Sequence, residues 1–157
     1  MERILVAVSG TEASIVAAQY AICLAKMLQS ELIAVFVVDI GTLQDLLTAR
    51  IFVQSESLEY ERDLEEDGRR YLNYVSKLGS EKGVAIRTEM ARGQVHTEVL
   101  NAARTNEVNL IVLGEITPML SRLETQLGQS ERILYDAPCP VLVVKDEETV
   151  VEMYESL

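Results

Sequence analysis

Apolar positions along this chain switch between two periods, one that suits strands and one that suits helices. RILVAVS, from Arg3 to Ser9, is an apolar run of strand length. From Thr11 to Gln29, Ile15, Ala18, Ile22, Ala25 and Leu28 fall at three- and four-residue spacing, which places them on one face of a helix. ELIAVFVVD, Glu31 to Asp39, is β-branched and apolar at both parities, as in a strand covered on both faces. Residues Ile40 to Glu56 are the least regular and have room for a short helix. From Ser57 to Gly79, Tyr60, Leu64, Tyr71, Val75 and Leu78 form a helical stripe, with Gly79 and Gly83 expected to end it.

The second half repeats the rhythm. Val84 to Arg92 alternates as an edge strand does, and Gly93 introduces a helix, VHTEVLNAART, with Val95, Val99, Leu100 and Ala103 facing inward. NLIVLG is a further apolar strand, SERILYDA a short helix stopped by Pro138, and Cys139 to Lys145 the last strand. Strands alternating with helices predict an α/β fold, a doubly wound five-stranded parallel sheet with helices on both faces. The expected layout is one domain over residues 1–157, closed by an acidic C-terminal tail from about residue 146. The third strand is the most polar and is assigned to an edge, giving the order 3-2-1-4-5. Ligands of such sheets bind where the winding reverses, here between strands one and four. The residues leaving those strands are Val8-Ser9-Gly10-Thr11 and Leu113-Gly114-Glu115.

Composition narrows the functions. The chain has 157 residues, 48% of them hydrophobic, enough for a substantial core. No apolar run reaches the roughly 20 residues needed to cross a bilayer, and MERILVAV has no basic region or cleavage site of a signal peptide. Against 14 basic residues stand 25 acidic ones, a net charge of −11, which argues against nucleic acid or an anionic membrane as the main partner. The acidic stretches, Ser55 to Arg70 and the tail DEETVVEMYE, read as a solvated helix face and a polar tail. Cys23 and Cys139 lie in apolar segments with no metal-ligand spacing, which fits buried thiols in a cytoplasmic protein.

RILVAVSGTEASIVAAQYAICLAKML, AVFVVD, NLIVLG and SERILYDAPCPVLVVK, in this order, resemble the universal stress proteins along nearly the whole chain. The resemblance implies an adenine-nucleotide α-hydrolase-like α/β sandwich, a role under stress and a homodimer commonly paired through the last strand. Many such proteins bind ATP at the switch point, and others do not. Nucleotide-binding members share a pattern of glycine, two residues, glycine, nine residues, then glycine followed by serine or threonine. Small residues there let backbone N–H groups approach phosphates, and a hydroxyl completes the cradle. Gly114 matches the first glycine, but Thr117 stands at the second and Pro118 behind it removes a donor. Gly128 arrives one residue late, Gln129 takes the hydroxyl position, and Ser130 follows. Ser9 replaces the aspartate that usually ends the first strand, while Val38 matches the position whose backbone often meets the adenine.

Two readings follow. Either Gly128, Gln129 and Ser130 still grip the phosphates of ATP or AMP with magnesium, with Arg122 as counter-charge, or the pocket is degenerate and the protein acts through dimerisation and an unidentified protein partner. The sequence favours the second, because a Cβ followed by proline is hard to compensate in a phosphate loop. Val8, Ser9, Gly10, Val38, Asp39, Gly114, Thr117, Gly128, Gln129 and Ser130 are the candidate pocket residues. Asp39 reads as a turn cap before a ribose or metal contact, and Glu115 weighs against triphosphate. No catalytic residue and no metal site is expected. His96 is the single histidine, placed away from the switch point, and no serine lies in a GxSxG elbow. ATP hydrolysis would be slow and incidental. Pro140 to Val144 is an apolar edge suited to pairing with a second copy. Val150, Val151 and Tyr154 of the helical tail EETVVEMYESL either join that contact or fold back on their own domain.

Overall fold

The computed structural model describes residues 1–41, 47–50, 54–114 and 128–157, with the side chain of Gln54 excepted. Its strands are β1 (Arg3–Val8), β2 (Glu31–Asp39), β3 (Ile86–Gly93), β4 (Leu110–Leu113) and β5 (Val141–Val143). The helices described here are α1 (Glu12–Leu28), α2 (Gln54–Glu81), α3 (Val95–Thr105), α4 (Gln129–Asp136) and α5 (Glu147–Glu155). The strands form one sheet in the order β3-β2-β1-β4-β5, and all four pairings are parallel.

Two separate cores lie on the two faces of this sheet. Ile4, Val6, Leu32 and Ala34 point one way, against α1, α2 and α5. Leu5, Ile33, Val35 and Ile111 point the other way, against α3 and α4. Burial on both faces is why β1 and β2 show no polar alternation. Helix α1 meets the sheet through Ala17, Ala18, Ala21 and Ala25, all buried, whose short side chains let its backbone lie close. At its far end Leu28 is 47% exposed, so the buried stripe stops one turn earlier than its spacing predicts.

Asn109 ties the starts of β1 and β4, its Oδ1 accepting the backbone N–H groups of Glu2 and Arg3 at 2.8 and 2.9 Å. At the opposite end, the Arg92 guanidinium on β3 pairs with Glu61 and Glu65 of α2. Helix α2 runs through Gly79, so that glycine does not terminate it. Gly79 sits where a Cβ would meet Ile86 Cδ1 and the Val84 carbonyl at 2.6 Å, and the turn falls at Gly83, which has φ +76°. Tyr60 lies on the exposed side of the stripe, at 39%.

The C-terminal tail is helical, as expected, and it packs on the domain instead of lying wholly in solvent. Asp146 caps α5 through Thr149, and Val150 and Tyr154 are buried against α1 and its neighbours. The Tyr154 hydroxyl donates to the Leu78 carbonyl at 2.8 Å. That carbonyl belongs to the last turn of α2, where intrahelical partners run out, so α5 caps α2. The two valines and the tyrosine weighed for a dimer contact thus divide: Val150 and Tyr154 fold back, and Val151 is half-buried. The final strand has three ladder residues, shorter than the Cys139 to Lys145 run, and occupies a sheet edge. No helix among the described residues is long and apolar enough to cross a membrane.

Candidate functional site

At the carboxyl end of β1 the chain turns directly into α1, and hydroxyl groups organise the turn. Thr11 is the N-cap, accepting from Ser14 N at 3.2 Å. Ser14, 4% exposed, accepts from Ser9 N at 3.0 Å, and its one proton is shared between the carbonyls of Ser9 (2.8 Å) and Thr11 (2.9 Å). Ser9 Oγ lies 3.0 Å from Thr11 Oγ1. The serine found in place of aspartate is therefore part of this turn. A Cβ on Gly10 would lie 3.1 Å from the Tyr71 hydroxyl, which closes that side.

β4 ends beside the same turn. A Cβ on Gly114 would come within 2.8 Å of Ala13 C and O and 3.0 Å of Ser14 N, all backbone atoms. Real side chains do not tolerate such separations, so the fold alone requires glycine here. Its presence carries no information about phosphate.

A cavity of about 370 Å³ opens where β1 and β4 diverge. Val35, Val37 and Leu113 from the strand ends line its base, and Val95 and Val99 of α3 with Ile133 of α4 form apolar walls. Ser9, Thr11, Asp39 and Ser130 bring polar groups to the lining. Asp39 is the charged residue among the described lining residues, which include no lysine, arginine or histidine. The described residues contain no cluster of three or more His, Cys, Asp or Glu suited to a metal ion, so a magnesium ion accompanying a nucleotide would find one carboxylate, Asp39, in the described lining.

Of the residues expected from sequence, Val8, Ser9, Gly10, Asp39, Gly114 and Ser130 line this cavity together. Val38 does not: it is fully buried in the opposite core, and Val37 and Asp39 flank it at the cavity. Gly128 is the N-cap of α4. Gln129 turns toward α3, where its Oε1 accepts from His96 N at 2.9 Å and lies 2.7 Å from His96 Nδ1. Thr117, Pro118, Glu115, Ser121 and Arg122 lie outside the described residues.

His96 is thus not remote from the switch point. The connection from the edge strand β3 to β4 must cross β2 and β1, so α3 lies over the middle of the sheet and packs against β2 and α4. Sequence reasoning missed Val95 and Val99 as cavity residues for the same reason. Their place on the inward stripe of α3 was legible, but the path of that helix was overlooked.

Neither thiol belongs to the site. Cys23 is 1% exposed and Cys139 half-buried, and burial raises both thiols above their ordinary value, which disfavours the nucleophilic thiolate.

The family model for the universal stress protein family matches residues 1–145. Universal stress protein MJ0531 of Methanocaldococcus jannaschii is 34% identical over 146 residues, covering 92% of this chain and 82% of that protein. Universal stress protein YxiE of Bacillus subtilis is 31% identical over 146 residues, covering 91% and 98%. Among solved structures, the universal stress protein UspA from Lactobacillus plantarum is 25% identical with a TM-score of 0.65, covering 92% of this chain and 97% of that one.

Proposed function

The chain belongs to the universal stress protein family, and on that footing we propose that it is a dimeric, non-catalytic binding protein whose switch-point cavity takes an adenine nucleoside or its monophosphate. In this reading the part of the site that would serve a triphosphate is degenerate. The observation that carries it is the lining of the cavity: apolar walls from Val37, Val95, Val99 and Ile133, hydroxyls from Ser9, Thr11 and Ser130, and Asp39 as the charged group. Such walls suit a flat base, and hydroxyls with a carboxylate suit a ribose. A triphosphate brings several negative charges to a protein of net charge −11, with no cation among the described lining residues to offset them.

Two structurally similar universal stress proteins, each 13% identical to this chain, were solved in complex with cAMP and with dAMP. They support the ligand class for the fold and leave its details to this chain's own lining. The non-catalytic reading is supported by the described cavity lining, which includes no histidine, cysteine or lysine, and by the lack of a metal cluster among the described residues. Dimerisation rests on the apolar edge strand β5, with a protein partner acting on the dimer. One observation favours ATP as the alternative: Ser130 still reaches the cavity although the glycine before it comes late.

Calorimetric titration of nucleotide-stripped protein with adenosine, AMP and ATP–magnesium separates these readings. Adenosine and AMP are expected to bind more tightly than ATP, and Val95→Phe, which fills the apolar end, to abolish binding of all three. ATP turnover stays at background, and light scattering gives twice the chain mass. Micromolar ATP–magnesium binding with silent adenosine would overturn the proposal in favour of a working triphosphate loop.

A further inference from the structure

We propose that His96 and Gln129 form a latch between the N-termini of α3 and α4, and that this latch sets Ser130 in the cavity wall. The part played by Ser130 rests on the nucleoside reading above. The latch itself does not.

Bond by bond, the geometry leaves no choice of roles. Gln129 Oε1 lies 2.9 Å from the backbone N of His96 and 2.7 Å from His96 Nδ1. A backbone N–H only donates, so the amide must present oxygen there and not nitrogen. Amide oxygen only accepts, so Nδ1 must carry the proton. In the neutral ring that leaves Nε2 with the lone pair, and the Thr97 hydroxyl, 3.3 Å away, donates to it. The tautomer of the chain's single histidine is therefore fixed by its neighbours.

The contact also completes a helix end. His96 N is among the first N–H groups of α3, and these have no partner within the helix. Gln94, the N-cap residue, supplies no side-chain hydrogen bond, so the cap comes from another helix. With Gln129 committed to α3, the next residue is rotated by about 100° around α4, and Ser130 lines the cavity beside Val95 and Ile133. Gln129 and His96 are positioning residues here, and Ser130 is the hydroxyl offered to the polar end of the ligand.

Because the protein has one imidazole, nitrogen NMR of the full-length protein reads the latch directly. At neutral ring charge the expected spectrum has a protonated Nδ1 and an unprotonated Nε2. Gln129→Ala moves both signals toward those of a free, tautomer-averaged imidazole, whereas Gln129→Glu, which keeps an acceptor oxygen, retains the wild-type pattern. A protonated Nε2 in the wild type overturns the latch. In the ligand arm, AMP is titrated calorimetrically. Gln129→Ala and Ser130→Ala should each weaken AMP by about five- to tenfold, the equivalent of one neutral hydrogen bond, and the double variant by no more than either alone. Unchanged affinity in Gln129→Ala, or additive losses, overturns the positioning role. A wild type with the expected tautomer but no AMP binding confirms the latch and sinks both the nucleoside reading and the role of Ser130.

Discussion

Gly114 separates two explanations of a strand-end glycine, because a methyl group there tests packing and phosphate binding at once. In Gly114→Ala the new Cβ would sit 2.8 Å from Ala13 C and O. Those atoms belong to the first turn of α1, which cannot yield by a rotamer change. Overpacking a tight site costs about 1–3 kcal/mol, and rigid backbone neighbours place this one in the upper half of that range. Loss of glycine's freedom in the unfolded chain returns about 0.4–1 kcal/mol. The net destabilisation expected is about 1.5–2 kcal/mol, and Gly114→Val, with two further methyl groups, should exceed it.

Urea unfolding measures the loss. The chain has no tryptophan, so far-ultraviolet circular dichroism is the signal. With a slope of about 2 kcal/mol per molar urea for a small protein, the Gly114→Ala midpoint should fall by about 0.8–1 M. The loss should appear with or without nucleotide. An unchanged midpoint combined with lost nucleotide binding would refute the packing argument and return Gly114 to a phosphate cradle. It also follows that lost binding in Gly114→Val, taken alone, says nothing about phosphate, because the variant damages the turn that carries Ser9 to Ser14.

Three further outcomes are expected. Gly68→Ala should lower stability by about 1–2 kcal/mol in urea unfolding, although alanine is the better helix former by about 1 kcal/mol, because its Cβ would meet the Phe36 ring at 2.5 Å; a gain in stability would show that the ring yields freely. Tyr154→Phe should cost about 1 kcal/mol by removing the cap on the Leu78 carbonyl. Burial, then Glu81, raises the Tyr154 hydroxyl above its ordinary value of 10.0. The native state then holds this proton after the unfolded state has released it, so wild-type stability should fall as pH rises from about 10 toward the raised value. Tyr154→Phe should lack that alkaline component, and identical pH profiles for the two proteins would contradict the assignment. Finally, a thiol reagent at alkaline pH should label Cys139 well before Cys23, which becomes reactive only on unfolding; equal rates would place Cys23 nearer the surface than its 1% exposure.

The strand order was legible because polarity differs between strands. VAIRTEMAR carries charges that a central parallel strand could not bury, so it went to the edge, and the observed order matches. Parity within β2 was not legible. ELIAVFVVD is apolar on both faces, and nothing in the pattern says whether Val37 or Val38 faces the cavity. Val38 was chosen for its backbone, as the match to the adenine position, whereas its neighbours Val37 and Asp39 are the β2 residues that line this end of the cavity. Gly68 was passed over because a glycine inside a helical stripe announces no partner, and its reason, the Phe36 ring, comes from a strand about thirty residues away. The C-terminal helix was legible, but the direction of its apolar residues was not. Val150 and Tyr154, at a spacing of four, form a narrow apolar stripe that serves equally to cover the chain's own helices or a second copy.

The loop motif had mixed two kinds of constraint that the structure separates. Gly114 answers to the backbone of α1, Ser9 and Thr11 to the turn between β1 and α1, and Gln129 to the first turn of α3. Each would be needed if no ligand ever bound. Ser130 differs, because it lines the cavity and no hydrogen bond ties its hydroxyl to another described residue. Matching a motif position by position counts all of these residues alike, although an altered fold residue and an altered ligand residue have opposite meanings. Gln129 in the hydroxyl position looks like a lost phosphate contact in sequence, yet it is a helix cap with Ser130 beside it. The case for a degenerate triphosphate end therefore rests on charge, an acidic protein with Asp39 in the cavity wall, and the apolar walls keep the nucleoside end open to a ligand.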